Sequence, residues 1–171
     1  MSNAVGMKDV IVADNDYIVR GILRSILERE GFTVLQAVDG LEAIDYAMRV
    51  RAHLVILDYK MPRLDGFGAC AQIRHLPGYA DTPIAVLTAF DNEDTRAAAE
   101  RAGVTTVMAK PFKPVDLLRT ISAMMGQEAP DAATAPRTFV RLWERLREPP
   151  PLFGEPAELS EGRRILNICR R

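Results

Sequence analysis

The sequence predicts an α/β fold in which a parallel sheet carries helices on both of its faces. Short apolar runs alternate with stretches whose apolar residues recur at helical spacing, which is the pattern of successive strand–helix units. Five such units follow one another, without an internal sequence repeat. Regular alternation of this kind favours right-handed crossovers between parallel strands, with helices packed on the two faces.

The predicted strands are short and almost wholly apolar, as expected for strands that are buried on both faces. They cover residues 10–13, 33–35, 53–57, 83–87 and 104–109. The predicted helices cover residues 17–30, 41–50, 67–76, 91–102 and 114–125. Glycines that can end a helix stand at Gly31, Gly78, Gly103 and Gly126.

Apolar spacing indicates which face of a helix packs on the sheet. The first helix has Ile18 and Ile22 at helical spacing, and the second carries Leu41, Ile44 and Met48 on one apolar face. We therefore predict two amphipathic helices in the first half of the chain.

Composition and charge exclude several classes of protein. Apolar residues make up 48% of the 171 residues, which is ordinary for a chain with a packed core. Formal net charge is −1, so no global field attracts nucleic acid or anionic lipid. No apolar run approaches the ~20 residues of a membrane-spanning helix. Cys70 and Cys169 lack metal-ligand spacing and are interpreted as free thiols in a reducing compartment. We expect a cytoplasmic protein with no membrane association.

Polar residues stand where the predicted strands end, and in open parallel sheets ligands bind at that edge. The residues delivered there are Asp14, Asn15 and Asp16 after the first strand, Asp58 after the third, Thr88 after the fourth and Lys110 after the fifth. Asp16 is interpreted chiefly as an N-cap of the first helix or a solvated side chain, since aspartate is favoured at N-caps. Asp14 is assigned to the shared site.

This set of side chains is typical of phosphoryl transfer. A carboxylate nucleophile, Asp58, needs cations to hold the charge on the transferring group. Lys110 supplies an ammonium for one phosphate oxygen, and the hydroxyl of Thr88 can hydrogen-bond a second. Several acids close together repel one another unless a divalent cation lies among them, and oxygen ligands would suit Mg²⁺.

These residues belong to motifs that resemble the receiver domain of two-component response regulators. The motifs are Asp14-Asn15, Asp58 with Met61-Pro62 and Asp65-Gly66, Thr88-Ala89, and Lys110-Pro111-Phe112. Each motif is weakly specific alone, but their order and their positions at strand ends make a strong signal. The resemblance covers roughly residues 8–125.

The resemblance implies a fold, a reaction and a partner. The fold is a flavodoxin-like, doubly wound five-stranded sheet with strand order 2-1-3-4-5. Asp58 would take the phosphoryl group from a phosphohistidine on a sensor histidine kinase or phosphotransfer protein, and Thr88 would move toward it. Mg²⁺ would be held by Asp58, the backbone carbonyl of Lys60, Asn15 and, through water, Asp14. The chain would catalyse only its own phosphorylation and dephosphorylation, and signal through protein–protein contacts.

Two residues depart from the family pattern. Asn15 replaces an acid that usually contacts the metal, and a neutral amide oxygen predicts weaker metal affinity. Val107 replaces an aromatic residue that usually swings inward with the threonine, so the usual coupling of threonine and ring cannot operate. The output mechanism of this chain is therefore expected to differ.

We predict that residues 7–126 form the receiver domain, that 127–136 form a linker, and that 137–171 form a short helical C-terminal extension. The extension places Phe139, Leu142 and Trp143 on one helical face. Docking on its own receiver and homodimerisation through the extension both stay open. No output domain is recognisable and four terminal arginines are weak evidence for nucleic acid, so we do not expect DNA binding.

Two alternative functions remain open. Asp14-Asn15-Asp16 also fits the nucleophile motif of haloacid-dehalogenase-like phosphatases, but no acidic pair follows Lys110 on a further strand. A pseudo-receiver, which binds partners without phosphorylation, is suggested by Asn15 and Val107. Mutation of Asp58 separates the receiver from the phosphatase, since the phosphatase nucleophile would be Asp14.

Overall fold

The computed structural model of the chain describes residues 8–90 and 92–126. Its strands are β1 (Lys8–Ala13), β2 (Phe32–Ala37), β3 (Leu54–Asp58), β4 (Ile84–Thr88) and β5 (Thr106–Ala109). Its helices are α1 (Tyr17–Arg29), α2 (Gly40–Arg49), α3 (Gly66–Arg74), α4 (Glu93–Arg101) and α5 (Pro114–Met124). The strands pair in parallel in the order β2-β1-β3-β4-β5, which confirms the predicted fold.

The two central strands anchor the core. Every residue of β3 and of β4 is buried, because aliphatic side chains on both faces meet helices. A continuous apolar run is the expected sequence of such a strand. Asp58 and Thr88 are the last residues of these strands, so the core positions both of them.

Side chains at the helix starts satisfy backbone N–H groups that have no partner within the helix. Asp16 accepts from the N–H of Ile18, which confirms its predicted role as the N-cap of α1. Asp39, Asp65 and Asn92 cap α2, α3 and α4 in the same way. The starts of these helices are therefore defined close to the edge where the site lies.

The apolar face predicted for α2 is not the face that this helix buries. Leu41 is 44% exposed and Met48 is 63% exposed, whereas Ile44 is partly buried. The residues that α2 buries are Gly40, Ala43 and Ala47. Small side chains let α2 pack closely on its neighbours, so the prediction from large apolar residues was wrong here.

Arg74, the last residue of α3, joins the connections at the edge opposite the predicted site. Its guanidinium donates to the carbonyls of Tyr79 at 2.8 Å, Thr82 at 2.5 Å and Gly103 at 2.8 Å. It also donates to the hydroxyl of Thr105 at 3.0 Å. One side chain thereby holds the α3–β4 and α4–β5 connections together.

Other sequence predictions have mixed outcomes. Cys70 is a buried free thiol, and burial raises its pKa to about 11. None of the helices among residues 8–90 and 92–126 has the length and apolar character needed to span a bilayer. Cys169, the predicted linker 127–136 and the predicted extension 137–171 lie outside the described residues.

Candidate functional site

The parallel register brings four strand ends to one edge of the sheet. Asp58 at the end of β3 is paired with Leu87, and Thr88 at the end of β4 is paired with Ala109. Asp14 directly follows β1, and Lys110 directly follows β5. The residues predicted to share a site therefore leave the sheet at nearly the same level.

Lys110 joins the two carboxylates of the site. Its Nζ lies 2.6 Å from Oδ1 of Asp58 and 2.7 Å from Oδ2 of Asp14. The backbone N–H of Lys110 donates to the carbonyl of Thr88 at 2.6 Å, and the peptide bond to Pro111 is cis. The site prediction depends on the ammonium of Lys110 lying beside Asp58, and the structure has this contact.

The electrostatics of the site reflect burial opposed by pairing. Burial raises the pKa of Asp58; the hydrogen bond and charge of Lys110 oppose this rise, and the charge of Asp14 adds to it. For Lys110, burial lowers the pKa, but hydrogen bonds to Asp14 and Asp58 outweigh it and the net pKa is raised. At neutral pH the ammonium therefore remains charged between the two acids.

Asp14 lies beside Lys110, and the N-cap of α1 is Asp16. It is 1% exposed, and its Oδ1 accepts the N–H of Asp16 at 2.8 Å while its Oδ2 accepts Lys110. The carbonyl of Asp14 accepts a hydrogen bond from Arg20 at 2.6 Å. The two carboxylate contacts orient the side chain so that one of its oxygens meets the ammonium that also contacts Asp58.

The hydroxyl of Thr88 is bonded to the backbone of Phe90. It accepts the N–H of Phe90 at 3.0 Å and donates to the carbonyl of the same residue at 3.2 Å. The ring of Phe90 lies under the ammonium of Lys60, 4.2 Å from the ring centroid. Thr88 is thus part of the β4–α4 turn, and its contact with a phosphoryl oxygen stays a prediction.

The donor atoms near Asp58 fit a hard divalent cation. Asp14 and Asp58 supply buried carboxylates, Asn15 is exposed directly after Asp14, and the backbone of Lys60 hydrogen-bonds Asp58. Carboxylate, amide and carbonyl oxygens are the ligands that Mg²⁺ takes in proteins. Within the part of the chain that the structure describes, no three His, Cys, Asp or Glu residues are grouped for a metal. A Mg²⁺ ion here would therefore depend on two carboxylates and on neutral oxygens.

Sequence reasoning missed three residues that support the site. Arg20 donates a hydrogen bond to the backbone carbonyl of Asp14, and the backbone carbonyl of Phe90 accepts one from the hydroxyl of Thr88. Arg63, in the loop that follows Asp58, forms an ion pair with Asp39. The first lies one turn into α1 and the others lie in loops. The spacing of apolar residues does not predict such contacts, because each of them depends on a backbone carbonyl or on the packing of a loop.

Fold, strand-end chemistry and motif order together define a receiver domain of a two-component response regulator. The response regulator receiver domain family matches residues 10–122, and the chain belongs to this family. This class is generally not a metabolic enzyme. The haloacid-dehalogenase-like phosphatase and the pseudo-receiver are not favoured by the comparison.

Curated relatives extend beyond this chain. The response regulator MprA of Mycobacterium sp. (strain KMS) is 40% identical over 163 residues, which are 94% of this chain and 66% of that protein. The protein of the same name from Mycobacterium leprae (strain TN) is 40% identical over 124 residues, covering 72% of this chain and 54% of that protein. The chain thus spans at most about two thirds of the length of these relatives. The expectation against DNA binding concerns this chain of 171 residues alone, and it stays a prediction.

Solved receiver structures have the same fold. The chemotaxis protein CheY4 of Vibrio cholerae matches with a TM-score of 0.68 and 30% identity, over 70% of this chain and 99% of that one. The receiver domain of a sensor histidine kinase from Pseudomonas aeruginosa matches with a TM-score of 0.66 and 27% identity, over 71% of this chain and 100% of that one. The latter structure has a magnesium ion coordinated in its active site cleft.

Proposed function

We propose that this chain accepts a phosphoryl group on Asp58, in a Mg²⁺-dependent reaction, from a phosphohistidine of a sensor histidine kinase or phosphotransfer protein. The observation that carries the proposal is the Lys110 ammonium lying 2.6 Å from Asp58 and 2.7 Å from Asp14. This arrangement provides a buried carboxylate nucleophile with a fixed cation beside it. A merely structural ion pair would need only one of the two acids.

The transfer requires an ionised Asp58. A carboxylate oxygen of Asp58 forms a P–O bond as the P–N bond of the donor breaks, and the electron pair returns to the imidazole nitrogen, which takes a proton from solvent. The product is an acyl phosphate on the chain. Lys110 neutralises charge on the transferring oxygens, which is the main task of a phosphoryl-transfer site.

Asp14, Asp58, Asn15 and the carbonyl of Lys60 are the groups that would hold Mg²⁺. The bound ion would supply additional positive charge at the phosphoryl oxygens. Thr88 already exchanges two hydrogen bonds with Phe90, so its hydroxyl must leave that partner to reach a phosphoryl oxygen. Movement of Thr88 would therefore release the turn that begins α4.

Acetyl phosphate labelling of the full chain tests this proposal, with and without Mg²⁺. We expect Mg²⁺-dependent uptake that Asp58→Asn abolishes. Asp14→Asn should lower the uptake through weaker metal binding but leave the label on Asp58. A label carried by Asp14 would support the phosphatase alternative, and a chain that takes up no label under any Mg²⁺ concentration would be a pseudo-receiver.

A further inference from the structure

Arg63 has an unusual backbone conformation in the segment of residues 59–65 between β3 and α3, which we call the acceptor loop. Its φ is 65°, and among residues 8–90 and 92–126 it is the one residue other than glycine with a positive φ. Side chains with a Cβ rarely adopt this region. Such a conformation persists where surrounding contacts offset its cost, so the contacts of Arg63 and of its loop are of interest.

The side chain of Arg63 is bound to a buried carboxylate. Its Nε donates to Oδ2 of Asp39 at 2.5 Å, and its Nη2 contacts the same oxygen. Asp39 is 2% exposed, and its Oδ1 accepts the N–H groups of Leu41 and Glu42 at 2.9 and 3.0 Å. One oxygen of Asp39 thus holds the start of α2, and the other holds the acceptor loop.

Backbone packing makes the same connection. A Cβ at Gly40, beside Asp39, would lie 2.6 Å from the carbonyl oxygen of Leu64, so the start of α2 touches the acceptor loop directly. At the end of the loop, the N–H of Gly66 donates to the carbonyl of Tyr59 at 3.0 Å. The loop is closed on itself, and it is attached to α2 in its middle.

We propose that Arg63 is a positioning residue, whose ion pair with Asp39 fixes the acceptor loop so that the backbone of Lys60 stays beside Asp58. This inference rests on the proposed function, because the carbonyl of Lys60 is a candidate ligand of Mg²⁺. The carboxylate of Asp39 is removed from water, so losing the guanidinium that pairs with it would leave a buried charge without compensation. More than half of the Arg63 side chain stays exposed. Loss of the pair should loosen the loop and weaken the oxygen set around the metal.

Three variants of the full chain separate the ion pair from the backbone conformation. Arg63→Gly tolerates the positive φ but removes the guanidinium, so the chain should remain folded. Arg63→Lys keeps a cation without the fork, and Asp39→Asn keeps the cap of α2 without the charge. The matched control is Arg49→Ala, which removes an arginine that pairs with Asp45 on the exposed side of α2.

Calorimetric titration with Mg²⁺ alone, without a phosphodonor, is the first measurement. We expect Arg63→Gly to weaken Mg²⁺ binding by roughly tenfold, as loss of a group that orients metal ligands typically does. Arg63→Lys should recover part of the loss, and Arg49→Ala should bind as wild type. In the labelling assay, the Mg²⁺ concentration that gives half the maximal rate should rise by a larger factor than the maximal rate falls. General destabilisation of the fold would instead lower the maximal rate without a larger change in that Mg²⁺ concentration.

Amide hydrogen exchange of Gly66 is the second measurement. Its N–H should exchange faster in Arg63→Gly and Asp39→Asn, and the double variant should add little to either, because both act on one contact. Wild-type exchange together with wild-type Mg²⁺ affinity in Arg63→Gly would overturn the inference and leave the proposed function intact. Faster exchange and weaker Mg²⁺ binding in a chain that never takes up a phosphoryl group would support the positioning role and sink the proposed function alone.

Discussion

The ammonium of Lys110 lies 2.6 Å from the carboxylate of Asp58, although 52 positions separate the two residues in the chain. Burial and the neighbouring Asp14 both act against ionisation of Asp58, and Lys110 acts for it. Ionisation of Asp58, the proposed nucleophile, therefore depends on its contact with Lys110.

Substitution Lys110→Met should slow acetyl phosphate labelling at neutral pH by at least about a hundredfold, because it removes a charge that stabilises the transferring group. It should also raise the pKa of Asp58 further, so the labelling rate should recover partly as the pH rises. Initial rates measured across pH check this, with Lys110→Arg as the variant that keeps a positive charge. Equal rates in Lys110→Met and wild type at every pH would contradict the assigned role.

Substitution Asp58→Asn should stabilise the chain at neutral pH. Because the pKa of Asp58 is raised in the folded state, its stabilising effect is present at low pH and is lost as the pH rises through that raised pKa. Asparagine does not ionise, so the variant should melt at a higher temperature than wild type at neutral pH. The difference in Tm should shrink toward zero in acid. A difference that grows as the pH falls would show that the pKa is lowered instead.

Substitution of alanine for glycine should have opposite effects on stability at Gly66 and at Gly21. A Cβ at Gly66 would lie 2.4 Å from the carbonyl oxygen of Asp58, whereas nothing lies within 4 Å of a Cβ at Gly21. Gly66→Ala should therefore cost about 2 kcal/mol and slow labelling, because backbone must shift at the acceptor. Gly21→Ala should gain about 1 kcal/mol, since alanine is the better helix former. Urea unfolding and labelling of the two variants measure this, and a stable Gly66→Ala with normal labelling would contradict the close approach.

Substitution Thr88→Val keeps the shape of the side chain and removes its hydroxyl. The N–H of Phe90 then loses its partner, at a cost of about 1 kcal/mol. Labelling should slow because the transferring group loses a hydrogen-bond donor, and Thr88→Ser should restore most of the rate. A Thr88→Val chain that labels as fast as wild type would place the hydroxyl outside the reaction.

The fold and the strand ends were predictable from sequence because they follow from patterns that the chain repeats. Apolar runs marked both central strands, and the register of a parallel sheet then placed Asp58 and Lys110 at one edge. Boundaries moved by one or two residues at most elements, as for β5, predicted from 104 and observed from Thr106. Such ends depend on individual hydrogen bonds, which periodicity does not determine.

The parts that sequence could not predict depend on contacts between loops. Asp39 is buried against Arg63 and Gly40 touches the acceptor loop, and no apolar spacing in the sequence indicates either contact. The buried face of α2 was mispredicted for a related reason. Close approach of neighbouring segments selects small residues there, and that requirement arises only once the helix and the loop are packed together.

The hydrogen bonds of Arg74 lie at the edge of the sheet opposite Asp58. A single guanidinium donates to the carbonyls of Tyr79, Thr82 and Gly103, so it links the α3–β4 connection to the α4–β5 connection. Rearrangement of turns beside Asp58 breaks none of these bonds. If Asp58 is phosphorylated as proposed, the turns beside it can change while the hydrogen bonds at the opposite edge of the sheet remain, so the proposed change of state need not approach unfolding.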